Sequence, residues 1–381
     1  MSRFALPVLA AAYFMLGVAS MAVVGLVDAM AGALQVSRGA IATLLTVFAL
    51  TYGIIAPLAQ MVVGDWPRRR LILVGLAALV VGAILAATVQ TYAAQVAARI
   101  VMGAGGALIG PMVSAAAASL APPERQAAAL STVFSGMTIA TVAGVPLANW
   151  AGNAFGWAEV HLGIAGCAAI VFAAVWHAVP AATRGSRTTP LVLWSVLRDA
   201  TLFPAIMSMF SGLAAQFATY ALIAVFMVER MGVAPAMVAP GLALFGVAGL
   251  VGNILAPRIT RRLGLARTQT VALLMLGGLF VILAVMPPWP ALGLVVLALW
   301  SVLGTTFMIA QQSRLVALAP ARANIVLALN ASAIYLGTSV GASLSAVTYT
   351  VFGLAGLPWS SLVLLGLCLG ALHLSRRHGT I

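Results

Sequence analysis

Twelve apolar runs follow one another along the chain with short polar intervals between them. Each is near the roughly 20 residues that an α-helix needs to cross a bilayer. Nothing else in the sequence constrains the fold as much. In hydrocarbon every backbone N–H and C=O must find a partner within the protein, which leaves helices as the spanning form for such runs. The runs are placed at 5–33, 41–63, 71–89, 92–119, 127–148, 159–180, 201–228, 235–256, 269–286, 290–311, 323–349 and 354–374. The expected class is therefore an all-α membrane protein of twelve transmembrane helices. Composition agrees, with 7% charged residues against about a quarter in soluble domains. The run from Phe4 to Leu26 exceeds the apolar core of a cleaved signal peptide, about 7–15 residues. It is read as the first span.

Every basic residue apart from histidine is arginine, and the net charge of +13 sits in short intervals between apolar runs. That placement reads as topology signals and contacts to anionic lipid headgroups, not as a nucleic-acid surface. With the N-terminus inside, the cytoplasmic side holds sixteen arginines: Arg3, Arg68, Arg69, Arg70, Arg125, Arg184, Arg187, Arg198, Arg258, Arg261, Arg262, Arg267, Arg314, Arg322, Arg376 and Arg377. The outer side holds two, Arg38 and Arg230. Both termini are thus expected in the cytoplasm.

The sequence also repeats. Leu120-Ala-Pro122 with Arg125 returns as Leu318-Ala-Pro320 with Arg322, and Ala129-Leu130-Ser131 as Ala328-Leu329-Asn330. Gly156-Trp157 has a partner in Leu357-Pro-Trp359. An offset near half the chain argues for two six-helix halves, 1–182 and 201–381, joined by a polar cytoplasmic linker at 183–200. Parallel halves around a midplane site are one plan of transporters. Leu191 to Asp199 has the pattern of a short interfacial helix.

Arg99 is the one arginine left inside a span. Facing lipid it would cost about 3 kcal/mol, so the interior of the protein has a use for it, unless it snorkels to the headgroups from a helix that only packs. At about 100° per residue, Arg99, Gly103, Gly106 and Gly110 share a face with room for a neighbouring backbone. The run from Arg99 through Gly103, Gly105 and Ala107 to Pro111 has the form R-x-x-x-G-x-G-x-A-x-x-x-P. It resembles the fourth-helix motif of major facilitator superfamily transporters, which is associated with antiport and proton coupling.

Three further stretches carry the same resemblance. Gly64-Asp65-Trp-Pro-Arg68-Arg69-Arg70 is similar to the superfamily's G-x-x-x-D-R-x-G-R-R loop at Asp65, Arg69 and Arg70, with Met61, Trp66 and Arg68 as departures. The resemblance implies a conformational latch there, one-sided because the second-half stretch Pro257 to Gly264 lacks the acid. On segment five, Gly136, Ala140 and Gly144 form a small-residue packing stripe. With Pro146, Gly152 and Gly156-Trp157 they resemble the sugar-efflux branch, with Ala158 where that branch often has arginine. Segment one is similar to the first helix of proton-coupled drug and sugar exporters. Several of those hold two acids eight residues apart, where this chain has Ser20 and Asp28.

Tyr13, Gly17, Ser20, Val24 and Asp28 fall within about 80° of one another on a helical wheel. Asp28 is either solvated at the outer helix end or paired inside. The spans put Asp28 and Arg99 at similar depths, about 8–12 Å below the outer surface, so a pair is geometrically open. The second half offers Gln216 and Tyr220, Asn253, Gln311 and Gln312, Asn330 and Tyr335 as substrate contacts or as bonds between helices. Cys167 and Cys368 lie mid-run and read as buried free thiols. No metal spacing or cofactor motif is visible, His161 and His177 lying near opposite ends of segment six.

The resemblance implies a monomeric inner-membrane antiporter of bacterial type. It would export small lipophilic or weakly polar solutes, drug-like or sugar-like, with Asp28 and Arg99 coupling protons and Tyr13, Ser20 and the second-half residues meeting the solute. The alternative is a uniporter or proton-coupled importer of a small organic anion held by Arg99. A membrane-embedded enzyme would need a nucleophilic triad, paired acids or a phosphate loop, and the six acids and four histidines form none of these.

Overall fold

The computed structural model describes residues 4–122, 126–180 and 190–378, and every regular element among them is helical. In chain order these are α1 (Ala5–Leu34), α2 (Arg38–Val62), α3 (Arg68–Thr88), α4 (Tyr92–Leu120), α5 (Gln126–Ile139), α6 (Val145–Ala154), α7 (Trp157–Ala178) and α8 (Pro190–Leu197). Then follow α9 (Leu202–Tyr220), α10 (Ile223–Glu229), α11 (Val238–Leu263), α12 (Leu265–Val285), α13 (Pro290–Leu318), α14 (Ala323–Phe352) and α15 (Leu357–His378). Twelve stretches are long and apolar enough to cross a membrane, as the apolar runs predict. Ile170, Val285, Phe352 and Val363 remain exposed on them, as lipid-facing surfaces require. Arg3, Arg125, Arg184, Arg187 and linker residues 183–189 lie outside the described residues. The short helix expected within the linker, from Leu191 to Asp199, is present as α8 at Pro190–Leu197.

Two runs expected as single helices are broken. The fifth is α5 and α6 joined through a π-helical turn at Ala140–Gly144. Pro146 has no N–H to give and its ring crowds the carbonyl four residues back, so the helix widens by a residue to pass it. The seventh run leaves helical geometry at Ala221–Leu222, and a buried short helix, α10, follows.

The chain divides into two compact units, Met1–Ser37 with Val47–Thr188, and Arg38–Thr46 with Thr189–Ile381. In the first unit close backbone approach sets the packing. A Cβ at Gly105 of α4 would stand 2.5 Å from the Gly75 carbonyl oxygen of α3, and one at Gly75 would stand 2.6 Å from the Gly105 oxygen. Gly136 of α5 lies against the Ala10 carbonyl of α1. Asn149 Nδ2 of α6 donates to the Gly25 carbonyl of α1 at 2.9 Å. In the second unit Gly337 of α14 lies against the Phe210 carbonyl of α9, the counterpart of the Gly136–Ala10 contact about 200 residues on. Thr219 and Ser361 hydroxyls join α9 to α15 at 2.7 Å. Cys368 is buried there and donates to the Ser208 carbonyl, whereas Cys167, expected to be buried, is exposed on α7.

Candidate functional site in the first unit

Arg99 lies two turns into α4 and is 2% exposed. The glycine face predicted beneath it is filled by neighbours. A Cβ at Gly103 would meet the Phe48 carbonyl oxygen at 2.7 Å, and one at Gly106 would meet Leu16 Cδ1 at the same distance. Gly110 lies against the Tyr52 hydroxyl. These contacts draw α1 and α2 onto α4. Arg99 then reaches α1, where Nη1 donates to the Ala19 carbonyl at 2.6 Å. A carbonyl has two lone pairs, so this bond adds to the helical bond of Ala19 without breaking it.

The other end of the guanidinium faces α7. Nη2 is 3.5 Å from Nε2 of His161, which is 0% exposed. His161 Nδ1 lies 2.9 Å from the Trp157 carbonyl one turn earlier. A carbonyl can only accept, so Nδ1 carries the hydrogen and Nε2 presents its lone pair to Arg99. The Trp157 ring stands edge-on to the imidazole, with centroids 6.0 Å apart. Gln95, one turn before Arg99, is tied to the Ala86 carbonyl at 2.7 Å.

The expected Asp28–Arg99 pair is not formed. Both contacts of Arg99 run to Ala19 and His161, and Asp28 is exposed. Asp28 lies nine residues along α1 from Ala19, a rise of about 13 Å, beyond the reach of an arginine turned toward Ala19. The rest of the small and polar face of α1 packs on the helix α5 and the π turn. Tyr13 meets Phe134 edge-on at 5.5 Å, and a Cβ at Gly17 would stand 2.5 Å from Ala140 Cβ. The Ser20 hydroxyl donates to Gly17 of its own helix at 2.9 Å. Gly144, at the end of the π turn, faces Val18, and Pro111 and Pro146 lie within α4 and the first turn of α6.

In the second unit the structure brings Gln216 and Tyr220 together and separates the others. Trp300 Nε1 of α13 donates to Gln216 Oε1 at 3.3 Å. Tyr220 stacks with Phe245 of α11, centroids 4.9 Å apart, and meets Trp300 edge-on at 6.1 Å. Gln311, eleven residues beyond Trp300, is buried between Gln269 of α12 and the Ala205 carbonyl. That separation along α13 is about 16 Å. Asn330 is buried with no hydrogen-bond partner on Oδ1, Tyr335 is half-buried, and Asn253 is exposed on α11.

At the α2–α3 connection Asp65 is exposed, Arg69 stacks on Trp176 at 4.9 Å and Arg70 on Trp66 at 4.5 Å. Arg68, a departure from the loop pattern, donates to the Ala115 carbonyl of α4 at 2.8 Å. Sequence reasoning missed Asp199. Its Oδ1 accepts from the Thr201 and Leu202 amides at 3.0 and 3.1 Å, capping α9, and its Oδ2 pairs with Arg322 at 3.0 Å. Burial pushes this carboxyl up, but the two amides and Arg322 outweigh it and hold the group below its ordinary value. Among the described residues no cluster of His, Cys, Asp and Glu has the makings of a metal site.

A profile described as Major Facilitator Superfamily matches residues 9–342. The inner membrane transport protein YdhP of Escherichia coli K12 is 26% identical over 383 residues, covering 98% of this chain and 96% of that protein. The chloramphenicol efflux pump MT0201 of Mycobacterium tuberculosis is 30% identical over 267 residues, 66% of this chain and 62% of the pump. The fold is similar to that of a peptide transporter crystallised with alafosfalin, with TM-score 0.78, 17% identity, and coverage of 99% and 95% of the two chains.

Proposed function

We propose, from the premise that the chain belongs to the Major Facilitator Superfamily and is a secondary transporter of a small solute, that it exports lipophilic or weakly polar solutes in exchange for protons across a bacterial inner membrane. The observation that carries the reading is Arg99. It is a fully buried cation inside a span, on a glycine-faced helix, bound to one neighbouring helix through a carbonyl and to another through an imidazole. Burying such a charge is costly, and a helix that only packs has no need of it. Gln216 and Tyr220, set among Phe217, Phe245 and Trp300, are the solute contacts the reading favours. An aromatic wall with one amide suits a lipophilic solute with few polar groups. One proton moved through 100 mV releases about 2.3 kcal/mol, enough for a gradient of roughly 50-fold in a neutral solute. The chain acts as a monomer in this reading, with both termini cytoplasmic.

The test is solute-driven proton flux in proteoliposomes that enclose a pH-sensitive dye. Chloramphenicol is the first probe, because a relative is named for its efflux. The reading expects chloramphenicol to move protons across the wild-type membrane and Arg99→Gln to abolish the movement. Solute flux indifferent to an imposed pH gradient would overturn it. The second reading, uptake of a small organic anion on Arg99, draws on the absence of a carboxylate among the contacts of Arg99 and on Ser20 in place of an acid. It expects anion counterflow that Arg99→Gln removes at every pH.

A further inference from the structure

We propose that His161 is the proton-binding group of the Arg99 site, and that a proton and the Arg99 guanidinium occupy its Nε2 in turn. The transport meaning of this exchange rests on the proton-antiport reading above; the exchange itself rests on geometry alone.

The geometry leaves one atom free to do it. Nδ1 already holds a hydrogen, which it gives to the Trp157 carbonyl at 2.9 Å. The lone pair on Nε2 is the only proton-accepting position left on the ring, and Arg99 Nη2 stands 3.5 Å in front of it. Arginine only donates, and it stays charged at any physiological pH. A proton arriving at Nε2 converts the acceptor into a second donor. It also sets two cations against each other in a buried site. The guanidinium must then withdraw from His161, while the proton stays on the ring until it leaves to water on the other side. No bond other than N–H forms or breaks, and the site gains and loses one positive charge per cycle.

No other group at the site can take this role. Imidazole titrates near physiological pH, unlike the guanidinium beside it. Of the helices packed against α7, α1 brings the Ala19 carbonyl, and its carboxylate, Asp28, lies nine residues further on and exposed. The charges of α3 are Arg68, Arg69 and Arg70 at its start, where Arg69 stacks on Trp176 near the opposite end of α7. Helix α6 carries no titratable residue, and α4 brings Arg99, the neutral Gln95 and, at its first residue two turns before Arg99, the half-buried phenol of Tyr92. A phenol ordinarily titrates far above an imidazole. On α7 itself Glu159 is exposed, and His177 lies sixteen residues beyond His161. Ser20, at the position where an acid stands in several exporters, bonds to its own helix.

The exchange has a mechanical consequence. Arg99 bridges α1 and α7, because one guanidinium holds both the Ala19 carbonyl and His161. Protonation at α7 cuts one leg of that bridge and leaves the arginine with α1. The charge state of a single ring is thereby linked to the contact among three helices of the first unit.

The experiment uses full-length protein labelled with nitrogen-15 histidine in lipid nanodiscs. The chain has four histidines, so His161→Gln identifies the ring by difference. At pH 7 the wild-type ring is expected to show a protonated Nδ1 and a bare Nε2. At pH 6 the doubly protonated fraction of this ring should be at least fivefold greater in Arg99→Gln than in wild type. Equal fractions would overturn the exchange. His161→Gln supplies a second test that does not depend on the folding of an Arg99 variant. Its amide oxygen offers Arg99 an acceptor that does not titrate. Acceleration of chloramphenicol flux by a pH gradient should fall at least tenfold below wild type in this variant. Full acceleration in His161→Gln would also overturn the proposal. Absence of any gradient-driven flux in wild type would sink the antiport reading instead, and the nanodisc spectra would still decide the exchange.

Discussion

The Arg99–His161 contact predicts a specific pattern in a double-mutant cycle. It joins a charged donor to a neutral acceptor at 3.5 Å, at the long end for a hydrogen bond. His161→Leu leaves a buried guanidinium with the Ala19 carbonyl as its remaining partner, at a cost of about 2–3 kcal/mol. Arg99→Met strands the Nε2 lone pair but removes the buried charge, for a net cost of about 1 kcal/mol. The double variant loses both partners together and should cost about 2 kcal/mol, because neither group is then left unpaired. Loss of the His161–Trp157 bond appears in both legs that remove histidine and cancels. Roughly 1.5 kcal/mol is left for the pair, a factor of about ten in the unfolding constant. Reversible unfolding in mixed SDS and dodecylmaltoside micelles, followed by tryptophan fluorescence, measures all four corners. Additivity within about 0.5 kcal/mol would show that the two side chains meet without consequence and refute the reasoning.

Gly105→Ala places a Cβ 2.5 Å from the Gly75 carbonyl oxygen and should destabilise the first unit by about 1–3 kcal/mol, read as a lower unfolding midpoint in the same micelles. Asp199→Ala removes the cap of α9 and the partner of Arg322, at a cost of about 1 kcal/mol near neutral pH. The native carboxyl is held below its ordinary value of 3.8, so its contribution is full above about pH 4 and fades as pH falls through the native value. Wild-type and variant stabilities should therefore converge in acid; a gap that widens there would contradict the assignment. Asp28→Asn, a change about 13 Å along α1 from the Ala19 carbonyl, should slow gradient-driven chloramphenicol flux less than tenfold, whereas Arg99→Gln abolishes it. Equal losses in initial-rate assays would return Asp28 to the coupling step.

The twelve spans were legible because lipid imposes a length and a polarity on each, and Arg99 because a cation within such a run is costly wherever it faces lipid. The glycine face of α4 was legible too, since helical periodicity alone places Gly103, Gly106 and Gly110 together. What the sequence concealed were partners set by side-chain direction. Asp28 and Arg99 have similar depths when counted from helix ends. Depth counted along separate helices, however, ignores that Arg99 points to Ala19, nine residues short of Asp28 on α1. His161 passed as an isolated histidine because its partner is 62 residues away on a helix whose orientation about its axis no periodicity reports. The π turn at Ala140–Gly144 had a signal in Pro146. The broken geometry at Ala221–Leu222 had none, as no glycine or proline stands there.

The internal repeat shows where side-chain chemistry parted company with packing. An offset of 201 carries Gly136 onto Gly337, and the two rest on carbonyls of α1 and α9 respectively. The same offset carries Gly103 onto Gly304 and Arg99 onto Trp300. The glycines keep their duty of close approach, Gly304 lying against the Gln216 side chain. The long residue one turn earlier does not keep its chemistry. In the first unit it is a cation that holds a carbonyl and an imidazole; in the second it is an indole that donates to Gln216 and packs on Phe280, Phe245 and Tyr220. Both are long side chains with an N–H to give and both are almost wholly buried, so the packing demand is alike and the scaffold accepts either. Charge is what differs. A repeated scaffold that keeps its glycines and changes this one position can bury a cation in one unit and an indole among aromatic rings in the other without altering how either bundle folds.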